Sequence, residues 1–223
     1  MIHSKFTASV CAAALAASTL PCMNVLAASE VNSEASLAAA LSTGGDYELT
    51  ADFQAANAGI NTSATVGALN GSGHTITKSN SKLNDALLYQ NCNGSWSFSD
   101  LTLDGNKSSL IYTDAALWYM AGSVIFDRVK IQNFKTSTAS RYALNCNGSA
   151  DVTLNNVVFS GNENSNAAIT ESDIYIDGGT LRLSGYTKAN ILYAGGTIDI
   201  SKLTGGCAIK IINILSRVLS RFF

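Results

Sequence analysis

Ser95-Trp-Ser-Phe-Ser-Asp-Leu-Thr-Leu-Asp-Gly-Asn106, Ser123-Val-Ile-Phe-Asp-Arg-Val-Lys-Ile-Gln-Asn-Phe134 and Asp151-Val-Thr-Leu-Asn-Asn-Val-Val-Phe-Ser-Gly-Asn162 align without a gap at a constant spacing of 28. Three apolar columns run through the alignment: Phe98, Phe126 and Leu154; Leu101, Val129 and Val157; Leu103, Ile131 and Phe159. The last two columns are two positions apart, a spacing that puts both side chains on one face of a strand. Between them stand Thr102, Lys130 and Val158, a mostly polar outward position. One short buried strand pair per repeat cannot close a core alone. Parallel stacking at about 4.8 Å lets each column bury the one beneath it. The period therefore predicts an all-β fold, a right-handed parallel β-helix (solenoid).

The flanks extend the pattern. Asn91-Cys-Asn-Gly-Ser95 recurs as Asn145-Cys-Asn-Gly-Ser149 at a spacing of 54, and reads as one turn repeated two coils of 27 apart. Leu69-Asn-Gly-Ser-Gly-His-Thr-Ile76 reads as a strand broken by glycines. Gly178-Gly-Thr-Leu-Arg-Leu183 recurs as Gly195-Gly-Thr-Ile-Asp-Ile200 at a spacing of 17, which predicts shorter coils or strand–turn units. At the front, Asn32 or Ser33 is placed to cap a short helix through Leu37 and Leu41 that stops at Gly44-Gly45. Tyr47, Leu49, Ala51 and Phe53 then alternate as one strand, and helix and strand together would close the open end of the first coil.

Charged residues are 13 % of the chain, and there is one Pro. This is half the usual charge and suits turns built from Gly, Ser, Asn and Thr. Lys5, the Ala-rich apolar run from Val10 to Leu20 and the small residues around Val25-Leu26-Ala27 predict a signal peptide over 1–28, hence a secreted or cell-surface protein. Its removal takes the net charge from −2 to −3, which argues against nucleic acid or an anionic membrane as partner. No other apolar run has the length of a membrane span. The β-helix domain is expected over 29–207. Residues 208–223 form a separate tail in which Ile211, Leu215, Val218 and Phe222 share a helical face with Lys210, Arg217 and Arg221 interspersed. That tail reads as an amphipathic helix, a cover for the stack or the remnant of a truncated chain.

The phrase Leu69-Asn-Gly-Ser-Gly-His-Thr-Ile76 and the Leu-Thr-Leu-Asp-Gly-Asn pattern resemble the coils of the pectate-lyase-like superfamily of right-handed β-helices, over roughly residues 30 to 207. Phe159-Ser-Gly-Asn162 and Gly205-Gly-Cys-Ala-Ile209 are similar to the Phe-x-x-Asn and Gly-Gly-x-Ile motifs of polymorphic outer-membrane adhesins of the autotransporter type. The resemblance implies either a polysaccharide-degrading enzyme or an adhesin-like scaffold.

The candidate chemistry favours the scaffold. A polygalacturonase-like site would set a Gly-His-Gly beside paired aspartates; here Gly73-His74-Thr75 stands without any Asp-Asp. Arg128-Val-Lys130 supplies two outward basic residues, as any solvated strand does. Asp100, Asp104, Asp127, Asp151, Asp173, Asp177 and Asp199 are spread singly, and turn capping accounts for them. Asp104 and Asp127 are the one pair that neighbouring coils could bring together. No metal or other cofactor is expected. Cys11 and Cys22 leave with the signal peptide. Cys92 and Cys146, two coils apart, would lie about 9.6 Å from each other, beyond the roughly 7 Å that a disulfide spans. Trp96, Tyr112, Trp118 and Tyr119 are either sugar-stacking aromatics or, for Leu117-Trp-Tyr119, a strand facing the core. The candidate ligand-binding residues are thus Trp118, Tyr119, Arg128 and Lys130, for a carbohydrate or another cell-surface ligand.

Overall fold

The computed structural model describes residues 27–56, 60–79, 86–90, 92–109, 117–119, 121–136, 142–164, 173–204 and 208–213. The expected signal segment up to residue 26, Tyr112, Cys207 and residues 214–223 lie outside them.

The chain opens with β1 (Ser29–Val31), α1 (Glu34–Thr43), β2 (Gly45–Leu49) and β3 (Phe53–Ala55). Laps follow as β4 (Ile60–Asn61), β5 (Val66–Asn70) and β6 (Thr75–Lys78), then β7 (Leu88–Gln90), β8 (Ser95–Ser99) and β9 (Thr102–Asp104), then β10 (Leu117–Tyr119), β11 (Ser123–Asp127) and β12 (Lys130–Gln132). After β13 (Lys135–Thr136), β14 (Leu144–Asn155) bends around two faces and β15 (Val158–Ser160) completes the lap. Last come β16 (Glu163–Asn164), β17 (Ile174–Gly185), β18 (Lys188–Leu203) and β19 (Ala208–Asn213). Seventeen of these strands form one sheet, and every pairing in it is parallel. The fold is a parallel β-helix, with the right-handed winding that parallel crossovers adopt.

Two of the three columns are present as paired ladders. Phe126 pairs with Phe98 below and Leu154 above, and the column extends to Leu69 and Leu183. Phe98, Phe126 and Leu154 are fully buried, and the two phenyl rings stack at 5.2 Å. Ile76, Leu103, Ile131 and Phe159 make the second ladder. Leu101, Val129 and Val157 are buried as expected, but they sit at corners. Each follows a residue in the left-handed region (Asp100, φ 51°; Arg128, φ 54°; Asn156, φ 55°), so the last two columns do not share one strand face as expected: the second turns the corner and the third lies on the strand after it. A break without a left-handed residue separates β2 from β3 at residues 50–52, where one continuous strand was expected.

At the front, Ser33 is the N-cap of α1. Its hydroxyl accepts the Ser36 N–H and Ser36 Oγ accepts the Ser33 N–H, a reciprocal box that satisfies two orphan donors. Gly44 ends the helix at φ 80° with its N–H on Ala40 O. Leu37, Ala40 and Leu41 are buried against the end of the core.

Coil length is set at one corner. In the middle laps many residues separate the third face from the first face of the next lap, as between Ser160 and Ile174. β18 instead runs straight across that corner, pairing Lys188 with Val158 and Ile191 with Ile174. The offset between laps accordingly falls from 30 (Leu144 onto Ile174) to 17 (Ile174 onto Ile191), as the repeated Gly-Gly-Thr predicted. The Asn-Cys-Asn-Gly echo, by contrast, is not one turn repeated. Tyr119 pairs with both Gln90 and Cys146, so Cys146 stands two laps above Gln90 and is out of step with Cys92. The sheet also continues past Cys207: β19 pairs with β18 from Ala208 to Asn213, so a helix does not begin at 208.

Candidate functional site

The most distinctive surface feature is the corner between the second and third faces. Asn70 pairs with Ser99 and Thr75 with Thr102, so Gly71 to His74 occupy the place that Asp100 and Leu101 fill one lap higher. The longer corner overhangs the shorter one. It rests on it through Gly71, where a Cβ would come 2.5 Å from Asp100 O and 2.6 Å from Leu101 Cβ. The step leaves an open groove of about 470 Å³. Ser72 and Gly73 form one wall, Arg128 and Lys130 the other, and Leu101 and Thr102 lie between them.

Arg128 is the corner residue of its lap at φ 54°, a conformation that Asn or Gly adopts at less cost than a long side chain. Its guanidinium is held on two sides. Nε donates to Asp100 Oδ1 at 2.7 Å and Nη2 to Asp100 Oδ2 at 2.8 Å, while Nη1 donates to Asp127 Oδ2. Arg128 in turn holds the Asp100 carboxyl below the usual carboxylate range. The network runs on along the corner: Asn155 Nδ2 donates to Asp127 Oδ1 at 2.7 Å, and Ser184 Oγ to Asn155 Oδ1 at 3.1 Å. Lys130 is exposed and has no ion-pair partner among the described residues.

On the far side of the overhang, Ser72 Oγ donates to Glu48 Oε1 at 2.6 Å and His74 Nδ1 lies 3.0 Å from Asp52 Oδ1. Asp52 also accepts the Thr75 N–H at 2.8 Å. That backbone bond first, and His74 second, hold the Asp52 carboxyl below its ordinary value. An ionised Asp52 fixes the hydrogen of a neutral His74 on Nδ1 and leaves Nε2 as the acceptor. These bonds fasten the overhanging corner to the lap beneath.

Of the four candidate ligand residues, the structure brings Arg128 and Lys130 together and separates them from the other two. Tyr119 is 1 % exposed and packs edge-on against Phe126 inside the coil, so it offers no stacking surface. Trp118 pairs through its backbone with Tyr89 and Asn145; its side chain lies outside the described residues. Trp96 is likewise interior, at 1 %, with Nε1 donating to Ala64 O at 3.1 Å. The expectation that Arg128 points from a strand fails, because it turns the corner.

The remaining candidates stay apart. Asp104 pairs laterally with Gln132 and accepts its Nε2 at 2.6 Å, whereas Asp127 sits on the second face; the two do not meet. Cys92 and Cys146 are both free. Cys92 Sγ lies 3.0 Å from Thr62 O, while burial pushes the Cys146 thiol up to about 12. Among the described residues no three His, Cys, Asp or Glu side chains gather as a metal site.

Two features escaped the reading of the sequence. Asp100 and Arg128 occupy the same repeat position in successive laps, so their opposite charges stack; the alignment contained that signal. The overhang is visible only as two extra residues in one lap. No protein-family model, curated protein or solved structure matches this chain.

Proposed function

We propose that this protein is an exported, surface-displayed β-helix scaffold of the adhesin kind that binds a carbohydrate, or another cell-surface ligand, in the corner groove without altering it. The pectate-lyase-like and adhesin-like phrases of the sequence support this reading, as does the predicted signal segment. The observation that carries it is the Asp100–Arg128–Asp127 chain. Hydrolysing a glycosidic bond takes a carboxylic acid able to give up a proton near neutral pH and a second carboxylate across the bond. The carboxylate lining this groove is instead clamped in its ionised form by Arg128. A groove with rigid donors and acceptors and no poised acid holds a ligand.

Binding and cleavage are separable by experiment. The purified protein is incubated with pectin, polygalacturonate and neutral glycans, with and without calcium. Retention on one or more glycan surfaces with no new reducing or unsaturated ends is the expected result. Depolymerisation of any of them overturns the proposal.

A further inference from the structure

We infer that the groove selects saccharides carrying isolated anionic substituents, read jointly by the free fork of Arg128 and the ammonium of Lys130. This rests on the binding role proposed above. Arginine has five N–H donors in a rigid plane. Nε and Nη2 grasp Asp100 side-on and Nη1 gives one hydrogen to Asp127, so one N–H on each terminal nitrogen remains. Those two hydrogens suit two oxygens of one carboxylate, sulfate or phosphate. The side chain is 54 % exposed and lines the groove, so the fork is accessible. Two carboxylates already fix its orientation, so a ligand that pairs with it does not bear the entropy of ordering it.

Asp100 and Asp127 together outweigh the charge of Arg128, so Lys130, which has no ion-pair partner among the described residues, is the cation left to meet a ligand's charge. Its position is outward on β12, in register with Thr102 below and Val158 above, neither of which is ionisable. Glu48 and Asp52 stand behind the opposite wall. The chain as a whole is acidic, at −2. A densely charged polymer is therefore repelled on approach, whereas a single anionic group among neutral sugars is not.

The test compares lactose, sialyllactose, sulfated lactose and polygalacturonate by calorimetry on the full chain. Sialyllactose or sulfated lactose should bind about tenfold more tightly than lactose, a difference that shrinks with added salt. Lys130→Gln should abolish that difference. Lys188→Gln, on the same outward column two laps away, should leave it intact. Arg128→Lys, checked for an unchanged circular dichroism spectrum, should weaken both anionic ligands, because an ammonium cannot present the fork. Equal binding of neutral and anionic sugars, or an inert Lys130→Gln, overturns the charge reading and leaves the binding role standing. Preference for polygalacturonate over the isolated charges overturns it too. Failure of every glycan to bind removes both.

Discussion

Gly67 lies flat beneath the indole of Trp96: a Cβ on Gly67 would come 2.3 Å from Cη2 and 2.5 Å from Cζ3 of that ring. The two are paired neighbours on β5 and β8, so the largest interior side chain of the second face has room only because the lap below carries none at that position. Gly67→Ala should cost about 1–3 kcal/mol through overpacking. Thermal melts and a red-shifted tryptophan emission would register it. Ser97→Ala, on the outward side of the same strand, should change the melting temperature little.

Tyr119 has a buried hydroxyl with no hydrogen-bond partner among the described residues. Burial also drives its phenol strongly upward, so it stays neutral. Removing an unsatisfied buried polar atom relieves a desolvation penalty of about 1 kcal/mol. Tyr119→Phe is thus expected to raise the melting temperature, and a fall would show that the hydroxyl has a partner.

The thiols should differ in reactivity. Cys92 is partly exposed, whereas Cys146 is buried with its thiol pushed up to about 12. Iodoacetamide at neutral pH should label Cys92 in the native protein and spare Cys146 until denaturant is added. Peptide mass spectrometry reads both sites. A peptide cross-linking Cys92 to Cys146 would contradict the ladder register.

Two kinds of carboxylate give stability opposite dependences on pH. Asp100 is held low by Arg128, so its contribution is present above its ordinary value of 3.8 and lost as pH falls through the folded value. Asp173 is raised by burial, with the Asn190 N–H and Asn162 Nδ2 as partial compensation. Its penalty is complete above the folded value and relieved as pH falls toward 3.8. Melting temperature should therefore rise modestly on mild acidification before dropping below about pH 4, and Asp173→Asn should flatten the rise. A wild-type melting temperature that stays flat or falls between pH 8 and pH 5 would count against Asp173 as its source.

The inward ladders were legible because burial on a strand has a fixed period and the repeat kept it for three laps. The cap was legible because Ser33 and Gly44 carry their meaning locally. What the alignment hid was the bend. Asp100 reads as one turn-capping aspartate among several and Arg128 as an outward strand residue, so neither marks where the left-handed backbone makes the corner. Of the two readings of Leu117–Tyr119, the strand facing the core is the one that holds for Leu117 and Tyr119, whereas nothing in the immediate sequence of Trp96 shows that Gly67 one lap away leaves it space. The Asn-Cys-Asn-Gly recurrence was a likeness of composition, out of phase with the ladder because Gln90, not Cys92, stands in the column of Cys146.

The straight passage of β18 across the third corner has a consequence for how such a chain can change. The lap from Ile174 to Ile191 closes on little more than half the chain that the lap from Leu144 to Ile174 spends around the same interior. The difference falls at a single vertical seam, and the ladders on either side of it keep their register. Segments on that seam can lengthen, shrink or be exchanged among descendants while the ladders behind them stay in step. Such a protein can diversify what it presents to the outside without renegotiating how it stands.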